Sequence, residues 1–274
     1  MKTKKWLSYP YLIWMVGFIL IPLFLIVYYG FTNRSGEFTL DNIALIGTAI
    51  NRNALFLSLK LSFISTLVCL LLAYPLALIL RRLNVTNSSF IVLIFILPMW
   101  MNSLLRTLAW QNILENTGIL NRILEFFNLP TLSIINTPSA IMIGMVYNFL
   151  PFMILPIYNS LIKIEDDIIN AANDLGANYF QTFIRIIWPL SFPGVVSGVI
   201  MVFVPSLTTF AISDILGGSK VVLIGNIIEQ QFKIVNNWHT GSGLSLVLMV
   251  FIIISMAILA KYDKSETKSG GQVL

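Results

Sequence analysis

The 274-residue sequence has little charge, one histidine and one cysteine, so few of the groups that enzymes use are present. Charged residues make up 11% of the chain, whereas a soluble domain carries about 25%. This deficit excludes an ordinary soluble fold. The histidine, His239, has no second histidine or cysteine nearby to complete a metal site. Its position beside Trp238 in a polar stretch favours a histidine in a surface loop.

Other elements of catalytic chemistry are also missing. The cysteine, Cys69, cannot form an internal disulfide, and its apolar neighbours favour packing as a small hydrophobe. No phosphate loop of the form G-x-x-x-x-G-K-[ST] occurs, and the nearest stretch, at 217–220, lacks the spacing. No pair of a nucleophile and a base is apparent. If ATP drives this protein, another chain binds it, and we expect neither cofactor nor metal on this one.

Apolar sequence, in contrast, is abundant, at 57% of residues. A membrane-spanning helix needs about 20 mostly apolar residues, and six runs approach that length. They are 10–32, 55–80, 89–110, 138–160, 191–216 and 243–261. We predict an all-α membrane protein with six transmembrane helices, because lipid cannot satisfy the open backbone groups of other structures. The first run is longer than the apolar region of a signal peptide and is expected to remain as a span.

The positions of lysine and arginine predict that both termini lie inside (N-in, C-in), because these residues are enriched in cytoplasmic loops. This orientation places the larger set of basic residues inside: Lys2, Lys4, Lys5, Arg81, Arg82, Lys163, Arg185, Lys261, Lys264 and Lys268. Since the basic residues cluster at span ends, the net charge of +5 indicates contact with membrane lipid and not with nucleic acid. We therefore expect a cytoplasmic N-terminus (1–9), a transmembrane domain (10–262) and a disordered cytoplasmic tail (263–274).

A polar stretch at 165–189 lies between the fourth and fifth predicted spans, in the cytoplasm in this orientation. Its early aspartates suit the first turn of a helix, where the helix dipole favours negative charge. Gly176 stands where a glycine with positive φ would end that helix. The pattern predicts two short helices joined at a glycine turn. Three apolar residues fall on one stripe of the first helix: Ile168, Ala172 and Leu175.

This stretch resembles the EAA loop of ABC-importer permeases, whose pattern is E-A-A, three residues, G, nine residues, I-x-L-P. The matching positions are Ala171, Ala172, Gly176, Ile186 and Pro189. Two positions depart from it: Asn170 replaces the Glu, and Trp188 replaces the Leu. The departure at Asn170 puts a salt bridge from that glutamate in doubt.

The resemblance implies the type I ABC-importer permease (MetI-like) fold, in which the cytoplasmic loop at 161–189 holds a coupling helix. That helix seats in a groove of a separate ATPase. The residues implied at this contact are Asn170, Ala171, Ala172, Gly176 and Ala177. The alternative is an ordinary amphipathic cytoplasmic loop.

Polar and aromatic residues within the predicted spans are candidates for a substrate path, since such residues are costly in lipid unless they face a cavity or partner. Asp214 is the carboxylate within a predicted span, although it could also be an interfacial residue that faces water. Trp100 lies near mid-membrane and could form a cation–π contact, and Tyr147 lies in the fourth span. Pro205 could break the fifth helix and free backbone carbonyls toward the path.

Five further segments are similar to the polyamine permeases of ABC importers: LPMWMNSLLRTLAW (97–110), NFLPFMILPIYNSL (148–161), AISDILGG (211–218), IGNIIEQQF (224–232) and GSGLSLVLM (241–249). This similarity implies spermidine or putrescine as the substrate. A polyamine path needs sparse carboxylates and aromatic faces, which Trp100, Tyr147 and Asp214 supply. One carboxylate is few for a multiply charged ligand, so a partner subunit is expected to add more.

The family architecture implies several partners in a bacterial cytoplasmic membrane. They are a second permease subunit, two ATPase chains that hold ATP and Mg²⁺, and an extracellular polyamine-binding protein. Two alternatives remain within transport: an ABC permease for another solute, and a stand-alone secondary transporter or channel. The absence of a charged relay in the predicted spans disfavours the second, and the absence of a catalytic pair disfavours an intramembrane enzyme.

Overall fold

The computed structural model describes residues 9–83, 97 and 99–263, and the contacts in the chain define two compact units. Unit 1 comprises Met1–Leu55 and Ile224–Ile254, and unit 2 comprises Phe56–Leu223 and Ser255–Leu274. Within the described ranges, regular structure is helical apart from one antiparallel bridge between Thr32 and Phe38.

The α-helices whose bounds lie within the described residues are numbered in chain order. They are α1 (Tyr9–Met15), α2 (Ile21–Gly30), α3 (Asp41–Ala44), α4 (Ala49–Arg82), α5 (Ser103–Leu114), α6 (Ile119–Phe126), α7 (Pro138–Leu161), α8 (Asp166–Asp174), α9 (Tyr179–Thr182), α10 (Trp188–Thr208), α11 (Ala211–Gly217), α12 (Ile224–Lys233) and α13 (Trp238–Asp263). A π-helical turn, Val16–Leu20, joins α1 to α2, and a second, Phe183–Ile187, joins α9 to α10.

Five helices in the described part of the chain are long and apolar enough to cross a membrane. They are Ile13–Gly30, Ala49–Arg82, Pro138–Leu161, Tyr179–Thr208 and Trp238–Leu259. A sixth candidate exists if the interrupted pair Ala211–Lys220 and Ile224–Lys233 counts as one span. The protein is therefore an all-α, multi-pass membrane protein, as the sequence predicts. Residues 89–96 and 98 of the predicted third span, 89–110, lie outside the described residues.

The prediction of one unbroken helix over 89–110 is wrong at its described end. Trp100 is helical, but the backbone leaves the helix at 101–102, and α5 begins at Ser103. The side chain of Asn102 causes this restart, because its Oδ1 accepts a hydrogen bond of 2.8 Å from the backbone N–H of Leu104. α5 then continues to Leu114, beyond the predicted end.

The predicted fifth span, 191–216, is wrong at both ends. The helix is continuous from Tyr179 and ends at Thr208, after which Thr209 is extended (φ −65°, ψ 138°). Pro205 does not break it, contrary to expectation. The hydroxyl of Thr208 donates to the carbonyls of Val204 (3.1 Å) and Pro205 (3.4 Å), which lie in the last turn. Asp214 consequently belongs to the separate short helix α11.

In unit 2, α7 and α10 pack closely together, because glycines on α10 admit the backbone of α7. A Cβ at Gly194 would lie 2.6 Å from the carbonyl oxygen of Pro156, and one at Gly198 would lie 2.7 Å from Met153 Sδ. Glycines four residues apart are typical of tightly packed membrane helices. The surrounding core adds residues of α4: Cys69, Ala73, Tyr74, Ala77 and Leu80. The hydroxyls of Tyr74 and Ser191 join α4 to α10 at 2.7 Å.

In unit 1, His239 corrects the prediction of a surface-loop histidine. It lies in the first turn of α13 and is partly buried. Its Nδ1 is 2.6 Å from the carbonyl oxygen of Thr32 and 3.2 Å from that of Tyr29. The ring also meets the Tyr29 ring edge-on, at 5.2 Å between centroids. His239 thus contacts two carbonyls at and just after the end of α2, which also accept hydrogen bonds from the Thr32 backbone N–H and the Asn42 side chain.

The N-in, C-in orientation stays a prediction, and cysteine labelling tests it. Thr117, between α5 and α6, and Asp174, at the end of α8, are both exposed. With intact cells, a membrane-impermeant thiol reagent should label Thr117→Cys from outside and should reach Asp174→Cys only after permeabilisation. The native Cys69 is fully buried and provides an unreactive background. The reverse labelling pattern would contradict the orientation.

Candidate functional site

The first candidate group consists of α8 and the turn that follows it. α8 carries Asp166 and Asp167 in its first turn, as predicted. Gly176 has a φ of +85°, which confirms the prediction of a positive φ at this glycine. The N–H of Gly176 donates to Asn173 O (2.9 Å) and that of Ala177 to Ala172 O (3.0 Å). This pair of bonds is a Schellman motif, which satisfies carbonyls at the end of a helix.

The second helix of the loop begins at Tyr179, and it corrects the prediction of two separate short helices. Asn178 and Gln181 form a capping box, in which each side chain accepts a hydrogen bond from the other residue's backbone N–H (2.9 and 3.0 Å). From there, α9 runs through the π-helical turn into α10 without a break. The loop is therefore one short helix and a glycine turn, followed directly by the membrane-spanning helix.

The predicted contact residues do not share one environment. Asn170, Ala171 and Gly176 are exposed, Ala177 is partly buried, and Ala172 is buried against the chain. The predicted stripe is not an inward face, since Leu175 is 89% exposed and Ile168 is 42% exposed. Leu175 already occupies the C-cap, where the helical path ends. The exposed side of α8 thus carries short side chains and ends in an exposed leucine. Such a surface is open to contact with another protein.

The second candidate group is the set of proposed path residues, all in unit 2. Trp100 is 76% exposed and Tyr147 is 39% exposed. The Tyr147 ring packs edge-on against Trp110 of α5, at 5.3 Å between centroids, and not against Trp100. Asp214 is an exposed residue in the first turn of α11, and α11 packs against both α5 and α7. Tyr147, Trp110 and Asp214 thus come from three helices in mutual contact, whereas Trp100 lies before the break at Asn102.

Sequence reasoning missed Trp110 and Arg106 as members of this region. Arg106, one turn before Trp110, is 7% exposed, and within the described chain its Nε and Nη1 have no hydrogen-bond partner. Beside it, Thr107 accepts a hydrogen bond from the Asn148 side chain, at 3.4 Å. The feature of the sequence that could have identified them is an arginine one helical turn before an aromatic residue. Because like charges repel, the Arg106 guanidinium disfavours a second cation close to it.

Comparison with known proteins identifies the family. Residues 1–266 match the family described as "Binding-protein-dependent transport system inner membrane component". The spermidine/putrescine transport system permease protein PotB of Haemophilus influenzae is 36% identical over 259 residues, which are 92% of this chain and 91% of that protein. PotB of Escherichia coli K12 is also 36% identical, over 92% of this chain and 94% of its own length.

Among solved structures, a bacterial alginate ABC transporter in complex with an alginate-pentasaccharide-bound periplasmic protein has a chain of similar fold. The TM-score is 0.80, and the match covers 97% of this chain and 96% of that one. At 15% sequence identity, the similarity concerns the fold. It agrees with the all-α permease architecture that the resemblance of the EAA loop implies.

Gly176 permits a test that separates backbone strain from crowding. No atom lies within 4 Å of the position that a Cβ would take there, so Gly176→Val is disfavoured by its positive φ and not by a clash. We expect this variant to insert normally and to lower ATPase co-purification about five- to thirty-fold, for a strain of ~1–2 kcal/mol. Gly176→Asn is the matched control, because asparagine tolerates this conformation. Equal co-purification of all three chains would contradict the prediction.

Proposed function

The chain belongs to the family of binding-protein-dependent transport system inner membrane components, and from this premise we propose that it carries polyamines. It is the permease subunit of an ABC importer, a transport subunit and not itself an enzyme. The observation that supports the substrate is the 36% identity, over 92% of the chain, to permeases named for spermidine and putrescine transport. A stand-alone transporter is disfavoured by the same relatives.

The proposed partners follow from this assignment. Importers of this class work with ABC ATPases and a binding protein outside the membrane. We propose PotA-like ATPase subunits, a PotC-like second permease and a PotD-like polyamine-binding protein. ATP and Mg²⁺ belong to the ATPase in this proposal, and this chain binds no cofactor. Its place is the cytoplasmic membrane of a bacterium.

Within the chain, we propose a division of roles between the two candidate groups. The surface of α8 and its glycine turn couples the permease to the ATPase, through Asn170, Ala171, Ala172, Gly176 and Ala177. The path for the solute runs along Trp100, Tyr147 and Asp214. Two features support the path: Tyr147 and Trp110 offer aromatic faces, and the carboxylate of Asp214 lies on a helix that contacts both of theirs. Aromatic faces and a carboxylate are suited to ammonium groups.

Uptake competition tests the proposed substrate. Cells that carry the importer should accumulate labelled spermidine or putrescine in an energy-dependent manner, and deletion of this chain should abolish the accumulation. Unlabelled polyamine should compete for uptake, whereas an unrelated amino acid or sugar should not. Unchanged polyamine uptake in the deletion strain, with another solute lost instead, would overturn the assignment of the substrate and leave the family unaffected.

Substitution of the path residues tests their roles. Trp100→Ala should weaken apparent affinity by up to about thirty-fold, since a cation–π contact contributes ~0.5–2 kcal/mol. Asp214→Asn should weaken it by up to about fivefold, because an exposed charge pair contributes ~0.2–1 kcal/mol. Trp100→Phe and Glu125→Gln are the matched controls, the second removing an exposed carboxylate of α6. Normal uptake in Trp100→Ala and Asp214→Asn would show that these residues only pack or face water.

A further inference from the structure

The last two residues of α4, Arg81 and Arg82, reach the two flanks of the coupling helix α8. On the first flank, Arg81 Nη2 donates to the carbonyl of Ile164 (2.8 Å) and to Asp166 Oδ1 (3.1 Å). The Arg81 side chain is 13% exposed, whereas that of Asp166 is 84% exposed, so the bond to the Ile164 carbonyl is the better shielded of the two from water. One guanidinium nitrogen therefore holds both the backbone before α8 and the first residue of α8.

On the second flank, Arg82 lies over the ring of Tyr179, with its guanidinium carbon 4.7 Å from the ring centroid. Tyr179 is the first residue of α9, just after the glycine turn. Arg82 is exposed, so this cation–π contact is the weaker of the two. Adjacent arginines on one helix end thus contact the chain on each side of α8.

These contacts matter because α8 has few others. Of its residues, only Ala172 is buried, and Ile169 is the one that packs partly against the core. A cleft of about 540 Å³ lies between the end of α4 and the loop, and both arginines, Asp166 and Tyr179 line it. The connection between α8 and α4 is therefore made by side chains that span a cleft. It does not depend on close packing of the two backbones.

We propose that Arg81 and Arg82 form a two-armed clamp that makes α4 follow the displacement of the coupling helix. This inference rests on the proposed coupling role of α8. The chain itself joins α8 only to α7 and α10, and α4 packs against these two helices, so the clamp gives α4 a direct connection to α8. Arg81 is the principal positioning residue, because it makes two hydrogen bonds from a nearly buried site. It acts through α8 and does not contact the ATPase.

A distance measurement in the assembled importer tests the clamp directly. Spin labels at Asp167→Cys in α8 and Leu83→Cys after α4 report the separation of the two elements, and both positions are exposed. With the wild-type arginines, the separation should stay unchanged between the ATP-free and ATP-bound complex. With Arg81→Gln, the distribution should shift or broaden on ATP binding. An unchanged distribution in Arg81→Gln would overturn the clamp.

Coupling efficiency provides a readout that loss of structure alone does not imitate. Arg81→Gln should leave ATPase co-purification unchanged but lower solute uptake per ATP hydrolysed by about tenfold, the effect of a lost charge-assisted hydrogen bond. Arg81→Lys and Asp166→Asn should be intermediate, because the lysine keeps a charged donor without the guanidinium fork and the asparagine keeps an oxygen acceptor without the charge. Arg52→Gln, an exposed arginine at the other end of α4, should behave as wild type. Loss of co-purification in step with uptake would show that Arg81 only builds the docking surface.

The two proposals fail in different ways. If the wild-type chain binds the ATPase and the spin-label result holds, but no polyamine is taken up, the proposed substrate is wrong and the clamp stands. If polyamine uptake is normal but Arg81→Gln couples as well as wild type, the clamp is wrong and the proposed function stands. If the wild-type chain binds no ATPase, both are overturned.

Discussion

The structure depends on one constraint: a backbone group inside lipid has no water to bind, so the chain must satisfy it. Long helices meet this requirement for their interiors but not for their ends. At three helix ends in the described apolar sequence, a side chain accordingly binds the backbone groups that the helix leaves open. Asn102 caps α5, Thr137 caps α7, and the hydroxyl of Thr208 binds carbonyls in the last turn of α10.

Hydropathy predicted the helices well where one run of apolar residues makes one helix. The fourth predicted span, 138–160, agrees with Pro138–Leu161 almost to the residue. Hydropathy failed at the breaks near Asn102 and Thr209, because a window of about 20 residues averages over a single capping side chain. The positive φ of Gly176 was predictable, since local chemistry alone requires glycine at that place in a turn.

The contacts that could not be predicted join residues far apart in the sequence. In the sequence, Arg81 contributes only to the charge balance that orients the protein, yet in the structure it also binds Ile164 and Asp166. His239 has no local signal for its bonds to carbonyls some two hundred residues earlier. Among the path candidates, Tyr147 was identified from its own span, but its partner Trp110 emerges only when α5 and α7 pack together.

The glycine contact between α7 and α10 has an evolutionary consequence. At Gly194 the obstacle to a side chain includes the carbonyl oxygen of Pro156, which is backbone and does not change when residues are exchanged. No compensating substitution on α7 can therefore make room for even an alanine; the two helix axes would have to separate. Position 194 is therefore expected to stay glycine among related sequences, because no substitution at a neighbouring residue can remove the clash. Sequence drift in this protein is thus expected to be slowest along this contact and faster on the surfaces that face lipid.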